Sequence, residues 1–202
     1  MDSTTVAWLA VGLLLLTAPA LMILRDWRWI LGLLAAAYLA MFILVLRHWP
    51  IAMAVAKLVT GWMGVAALGM TRLGLSTPEE ARAPLFVEGA AFRLVSAGIV
   101  ALVTVSAAAS VEAAIPGIGL PVIVGGLLLV GTGLFHLGMS SDPLRVTVGL
   151  LTSLAGFEVL YAAVETSVLV AALLAAASLG LSLVGSYLMV QASPEEETEE
   201  PL

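Results

Sequence analysis

The sequence predicts an all-α fold, a polytopic transmembrane bundle of about seven helices. Three observations predict it. First, 61% of the 202 residues are hydrophobic, only 11% are charged, and mean hydropathy is +1.12. An ordinary soluble domain is about 45–50% apolar and about 25% charged. Second, the apolar residues gather into runs near the ~20 residues that cross a bilayer. Third, short polar stretches such as Arg47-His48-Trp49-Pro50 and Ser140-Ser141-Asp142-Pro143 separate the runs.

The first run is Val6–Leu24, ending at Arg25-Asp26-Trp27-Arg28. Ala18-Pro19-Ala20 resembles a signal-peptide cleavage site, but Met1–Thr5 has no basic residue and Leu21–Leu24 stays apolar. A retained helix is therefore expected. The second run is Trp29–Leu46 and the third Ile51–Met70, interrupted by Lys57. Residues 71–93 form a long polar loop. Within it Thr77 has the form of an N-cap, Pro78 of a first helical residue, and Glu79 and Glu80 of an acidic first turn. That pattern predicts a short surface helix over 78–82.

The fourth run is Leu94–Ala114, with Glu112 near its end, followed by the turn Ile115-Pro116-Gly117-Ile118-Gly119. The fifth is Leu120–Met139, with His136 in its last turn. The sixth, Leu144–Val164, contains Glu158, and the seventh is Thr166–Gln191. The very short connection at Glu165-Thr166 predicts an antiparallel hairpin. Residues 1–191 read as one transmembrane domain. The acidic tail Ala192–Leu202, with two prolines, reads as disordered.

Arginines set the expected orientation. Loops one, three and five, with their borders, carry Arg25, Arg28, Arg72, Arg82, Arg93 and Arg145. Loop two carries only Arg47, and loops four and six carry none. The positive-inside rule then places loops one, three and five, and with them the C-terminus, in the cytoplasm, and the N-terminus outside. Trp27, Trp29 and Trp49 stand at span ends, as an interfacial aromatic belt does.

Composition and motifs also exclude chemistry. Without cysteine there are no thiolate metal sites and no thiolate-held iron–sulfur clusters. No phosphate-binding loop, nucleophile elbow, histidine pair at metal spacing or basic nucleic-acid patch occurs. Neither a cofactor nor a metal is expected, and no nucleic-acid partner.

Ionisable residues inside the runs remain as candidates, because they are expensive to keep in a bilayer and are functional by default. Glu158 leads. At helical spacing it shares a stripe with Leu154, Tyr161 and Glu165, running from mid-bilayer to an edge. Burial disfavours a charged carboxylate. The stripe of Glu158, Tyr161 and Glu165 is therefore read as a proton relay, or Glu158 as a protonated group bonded to Tyr161 or to a serine of the next helix. Glu165 by itself has the position of an interfacial loop residue. Lys57 lies about 10 Å into its span. It either faces a polar cavity as partner or relay, or snorkels to the surface. His136 and Glu112 are weaker candidates, near helix ends where water is available. Two sets of small residues, Gly149/Ser153/Gly156 and Ser178/Ser182/Ser186, predict close helix packing. The serines are also placed to solvate Glu158.

From Ser140 onward the chain resembles the small K-type membrane subunit of respiratory complex I and its relatives in cation/proton antiporters. The family's Gly-Leu-Glu motif reads Gly156-Phe157-Glu158 here. The arginine-bearing loop before that helix reads Asp142-Pro143-Leu144-Arg145, and the alanine-rich run to Gly-Leu reads Ala175-Ala176-Ala177-Ser178-Leu179-Gly180-Leu181. Residues 120–191 would be the family's three-helix unit. The whole chain is more similar to component E of hydrogenase-4-type membrane hydrogenases, which adds helices before that unit. That subunit also carries an early lysine in a helix ending at arginine, like Lys57 and Arg72 here.

The resemblance implies a non-catalytic subunit of a redox-linked proton-translocating complex in a prokaryotic cytoplasmic membrane. Its partners would be antiporter-like and other membrane subunits within the lipid bilayer. It implies that Glu158 lies on a central polar axis. The family's second glutamate falls near Ala176 here, which cannot titrate. A structural subunit without proton transfer and a small independent transporter are the alternatives.

Overall fold

The computed structural model of the chain describes residues 3–24, 26–75 and 90–193. They form seven helices: α1 (Ser3–Ile23), α2 (Trp27–Val45), α3 (Ile51–Leu73), α4 (Ala90–Ala114), α5 (Leu120–Met139), α6 (Pro143–Ala162) and α7 (Val168–Gln191). Each is long and apolar enough to cross a membrane. The protein is an all-α integral membrane protein. A helix suits that setting because it satisfies its backbone groups internally, where lipid offers no hydrogen bonds. The surface helix expected at 78–82 and the acidic tail lie outside the described residues, apart from Ala192 and Ser193.

Polar residues stop and restart the helices. The Asp26 carboxylate caps α2 by accepting from the Arg28 amide at 2.9 Å. The Asp142 carboxylate caps α6 by accepting from the Arg145 amide at 3.1 Å, with Pro143 as the first helical residue. Gly117 and Gly119 turn the α4–α5 loop at φ 99° and 88°, a region open mainly to glycine.

The bundle has two rows. α1, α2 and α3 form one row and α5, α6 and α7 the other, with α1 against α5, α2 against α6 and α3 against α7. α4 links the rows and packs on α1 and α5. One hydrophobic cluster runs through both, including Leu14, Leu34, Leu44, Ile123, Leu129 and Leu151. The closest approach is α5 on α6. A Cβ on Gly156 would stand 2.6 Å from both the Gly126 carbonyl oxygen and the Val130 nitrogen. The small residues of α6 thus bring two backbones together, as their spacing predicts.

Hydrogen bonds lace the loops into two opposite faces. His48 lies 3.1 Å from the Ile118 carbonyl oxygen, and the Trp49 indole donates to the Glu165 carbonyl at 2.9 Å. Loops two, four and six are therefore together. On the other face Arg93 donates to the Met22 carbonyl and Arg145 to the Leu24 carbonyl, joining the ends of α1, α4 and α6.

Three expectations are corrected. Trp49 is 4% exposed and packs under a loop, so it is not a lipid-facing belt residue, whereas Trp29 is 64% exposed. α4 begins at Ala90 and includes Arg93, and α3 runs on to Leu73. Hydropathy marks where lipid ends, but helical hydrogen bonding continues beyond it. The α6–α7 connection is five residues, because the Glu165 carboxylate accepts from the Thr166 and Ser167 amides, both at 3.0 Å, and holds the chain in a turn.

Candidate functional site

α3, α6 and α7 meet around two ionisable side chains. The Lys57 ammonium donates to Glu158 Oε1 at 2.6 Å, and the two side chains are 4% and 0% exposed. Ser178 of α7 completes the cluster. Its hydroxyl lies 3.3 Å from the ammonium and 3.4 Å from the same carboxylate oxygen. The two charges are separated by 101 residues of sequence, so their pairing is a product of the fold.

Each helix supplies its member for a local reason. On α3, Ala54, Lys57, Gly61, Gly64 and Leu68 form the buried stripe, at three- and four-residue spacing. On α7 the buried stripe includes Ser178, Ser182 and Gly185. Small residues on both stripes let the helices come close enough for a lysine to reach across to α6. A Cβ on Gly64 would clash with the Ser182 side chain.

The cluster is nearer one face than the sequence stripe implies. Glu158 lies four residues before the end of α6, about 6 Å along the axis, and Lys57 six residues after the start of α3, about 9 Å. Both ends belong to the face of loops two, four and six. A cavity of about 100 Å³ opens there, lined by Met53, Ala56, Lys57, Val168, Ala171 and Ala172. It brings the lysine within reach of the outside of the bundle between α3 and α7. Even so, Lys57 does not snorkel to that surface: its ammonium points inward to the carboxylate.

Glu158 Oε2 is buried with no hydrogen-bond partner among the described residues. A buried carboxylate oxygen without a donor is a high-energy acceptor. A proton or a water can attach there without displacing Lys57. From the pair, small and hydroxylic residues continue along α7 towards the opposite face. Ser182 packs on Gly64, Gly185 on Thr147, and the Ser186 hydroxyl is buried without a partner among the described residues. Successive serines are about 6 Å apart along the helix, so a proton moving along this seam needs water between them.

The other expected residues lie elsewhere. Tyr161 makes no hydrogen bond to Glu158; its ring stacks on Phe157, with centroids 5.7 Å apart. Of the two partner types expected for Glu158, only the serine of the next helix is present. Glu165 is exposed and occupied by the turn. Glu112 is half-buried near the end of α4. His136 is buried at the opposite face from the pair, with Nε2 lacking a partner among the described residues. Among those residues no group of three His, Asp or Glu is placed to hold a metal.

One member escaped the sequence reading. Tyr38 of α2 is 2% exposed, its ring packs on Gly61, and it lies within electrostatic range of Glu158. Its signal was position. Tyrosine favours the membrane interface, and Tyr38 is near the middle of α2.

Comparison with known proteins adds nothing further: no family model, curated protein or solved structure matches the chain.

Proposed function

We propose that this chain is a non-catalytic membrane subunit that lends Glu158 and Lys57 to proton transfer along the polar axis of a larger assembly. The redox-linked and antiporter-like complexes suggested by Gly156-Phe157-Glu158 are the class of assembly meant. The observation that carries the reading is the buried Lys57–Glu158 contact, with a carboxylate oxygen beside it that has no partner among the described residues.

The chemistry follows from charge. An ammonium and a carboxylate at this distance form a neutral couple. Adding a proton at Oε2 makes the couple cationic and loosens the hold of Glu158 on Lys57. The lysine can then turn into the cavity between α3 and α7, releasing a proton towards loops two, four and six. The hydroxyl seam along Ser178, Ser182 and Ser186, with intervening water, supplies the approach from the other face. The positive-inside rule makes that second face cytoplasmic.

The test is Glu158→Gln in the native membrane. The proposal expects an assembled complex on a native gel and at least tenfold slower coupled proton translocation. Normal translocation in that variant would overturn it. A small, stable species on the gel from the unaltered protein would point instead to an independent transporter.

The directness of the contact favours a second reading, in which the pair is a structural tie between α3 and α6. That reading expects Glu158→Gln to leave translocation intact.

A further inference from the structure

A pair of arginines lies on the face of loops one, three and five, away from the Lys57–Glu158 pair. Arg93 at the start of α4 and Arg145 at the start of α6 both reach the end of α1, at the Met22 and Leu24 carbonyls. Both arginines are also within electrostatic range of His136 in the last turn of α5. Two arginines from two helices therefore converge at one membrane face, with the His136 imidazole buried beside them. His136 is 6% exposed, and its Nε2 has no partner among the described residues.

An apolar groove of about 310 Å³ lies between α1, α4 and α5. Leu15 and Pro19 line it from α1, Ala97, Gly98 and Ala101 from α4, and Thr132 from α5. Its position relative to Arg93 and His136 follows from sequence spacing. Ala97 is one turn after Arg93, and Thr132 is one turn before His136 on the same face of α5. The groove thus begins at Leu94, next to Arg93, and descends towards the bilayer centre, where Leu15 and Ala101 lie. Its volume is at the low end of ligand pockets, which run from about 300 Å³. Gly98 is exposed, and a Cβ added there would meet nothing within 4 Å.

The geometry points to a binding site for one anionic phospholipid, with its phosphate at Arg93 and Arg145 and an acyl chain in the α1–α4–α5 groove. Charge complementarity selects the headgroup, since basic pockets between transmembrane helices bind anionic headgroups. The groove selects a molecule that carries a chain. Arginine suits the phosphate because its planar fork of donors matches phosphate oxygens. The α1 carbonyls hold the two guanidinium groups at the membrane surface, where a headgroup lies. The site is independent of proton transfer at Glu158.

Native mass spectrometry of the full chain in detergent, with equal dioleoylphosphatidylglycerol and dioleoylphosphatidylcholine, tests the site. The expected result is a one-to-one phosphatidylglycerol adduct at least fivefold more abundant than the phosphatidylcholine adduct. Arg93→Gln should bring that ratio near one, while Arg93→Lys keeps most of it. Gly98→Leu fills the groove without touching a basic residue and should reduce the adduct at least fivefold. Gly180→Leu, at an open position on α7, should leave it unchanged. Far-UV circular dichroism identifies any variant that fails to fold, and Gly98→Leu and Arg93→Lys keep the test open if Arg93→Gln does. Equal adducts of the two lipids in the unaltered protein would overturn the site. So would a preference that survives both Arg93→Gln and Gly98→Leu, or displacement of the lipid by an equal concentration of glycerol phosphate.

Discussion

Replacing Lys57 by Met and Glu158 by Gln, singly and together, should show the two residues acting as one unit. At 2.6 Å and an effective dielectric constant of about 20, the attraction between unit charges is about 6 kcal/mol. Desolvation of both ions offsets much of it, so the net worth of the pair is far smaller. Removing one partner has a different effect. It loses the attraction and leaves the other ion buried, which costs about 3–5 kcal/mol. Removing both relieves both desolvation penalties at once. The double variant should therefore be no less stable than either single variant, with a coupling energy of at least ~2 kcal/mol. Unfolding of the full chain from detergent micelles by added dodecyl sulfate, followed by far-UV circular dichroism, measures each term. Single effects that add to within about 0.5 kcal/mol would show that the residues do not interact, and would refute the reasoning.

Three further outcomes follow from the packing. Gly156→Leu should cost about 3 kcal/mol or prevent folding, because the new side chain meets the α5 backbone. Gly180→Ala, where the added methyl meets nothing, should be neutral or up to about 1 kcal/mol stabilising in the same unfolding assay. Trp49→Phe removes the donor to the Glu165 carbonyl and should cost about 1 kcal/mol. The chain has no cysteine, so Ser141→Cys and Thr166→Cys can each be labelled alone with a membrane-impermeant maleimide. Ser141→Cys should react only from the cytoplasmic side of sealed cells or vesicles, and Thr166→Cys only from the other side.

The helices were legible because a bilayer imposes a simple demand. Each crossing needs an apolar run of fixed length, and all seven runs are helices. Ends were less legible, since Ala90–Arg93 and Thr71–Leu73 are helical although Arg93 and Arg72 gave them the look of loop. Glu158 and Lys57 stood out individually because a charge inside a span is conspicuous. Their pairing was not legible, because nothing local relates residues that far apart along the chain. It depends on α3 and α7 packing through Gly64 and Ser182. Tyr38 was hidden by its kind, since an aromatic residue in an apolar run looks like core. Arg93 was legible only as a topology signal, and Arg145 as that and as the arginine of the loop before α6. Their convergence with His136 appears once the ends of α1, α4, α5 and α6 share one face.

Proton exchange at Glu158 itself is the most direct test. Infrared difference spectra between resting and energised native membranes report carboxyl groups that gain or lose a proton. The proposal predicts a protonated-carboxyl band that shifts in heavy water and vanishes in Glu158→Gln, while the complex stays assembled. A band that persists unchanged in that variant, or no carboxyl band at all, would contradict a relay through this residue.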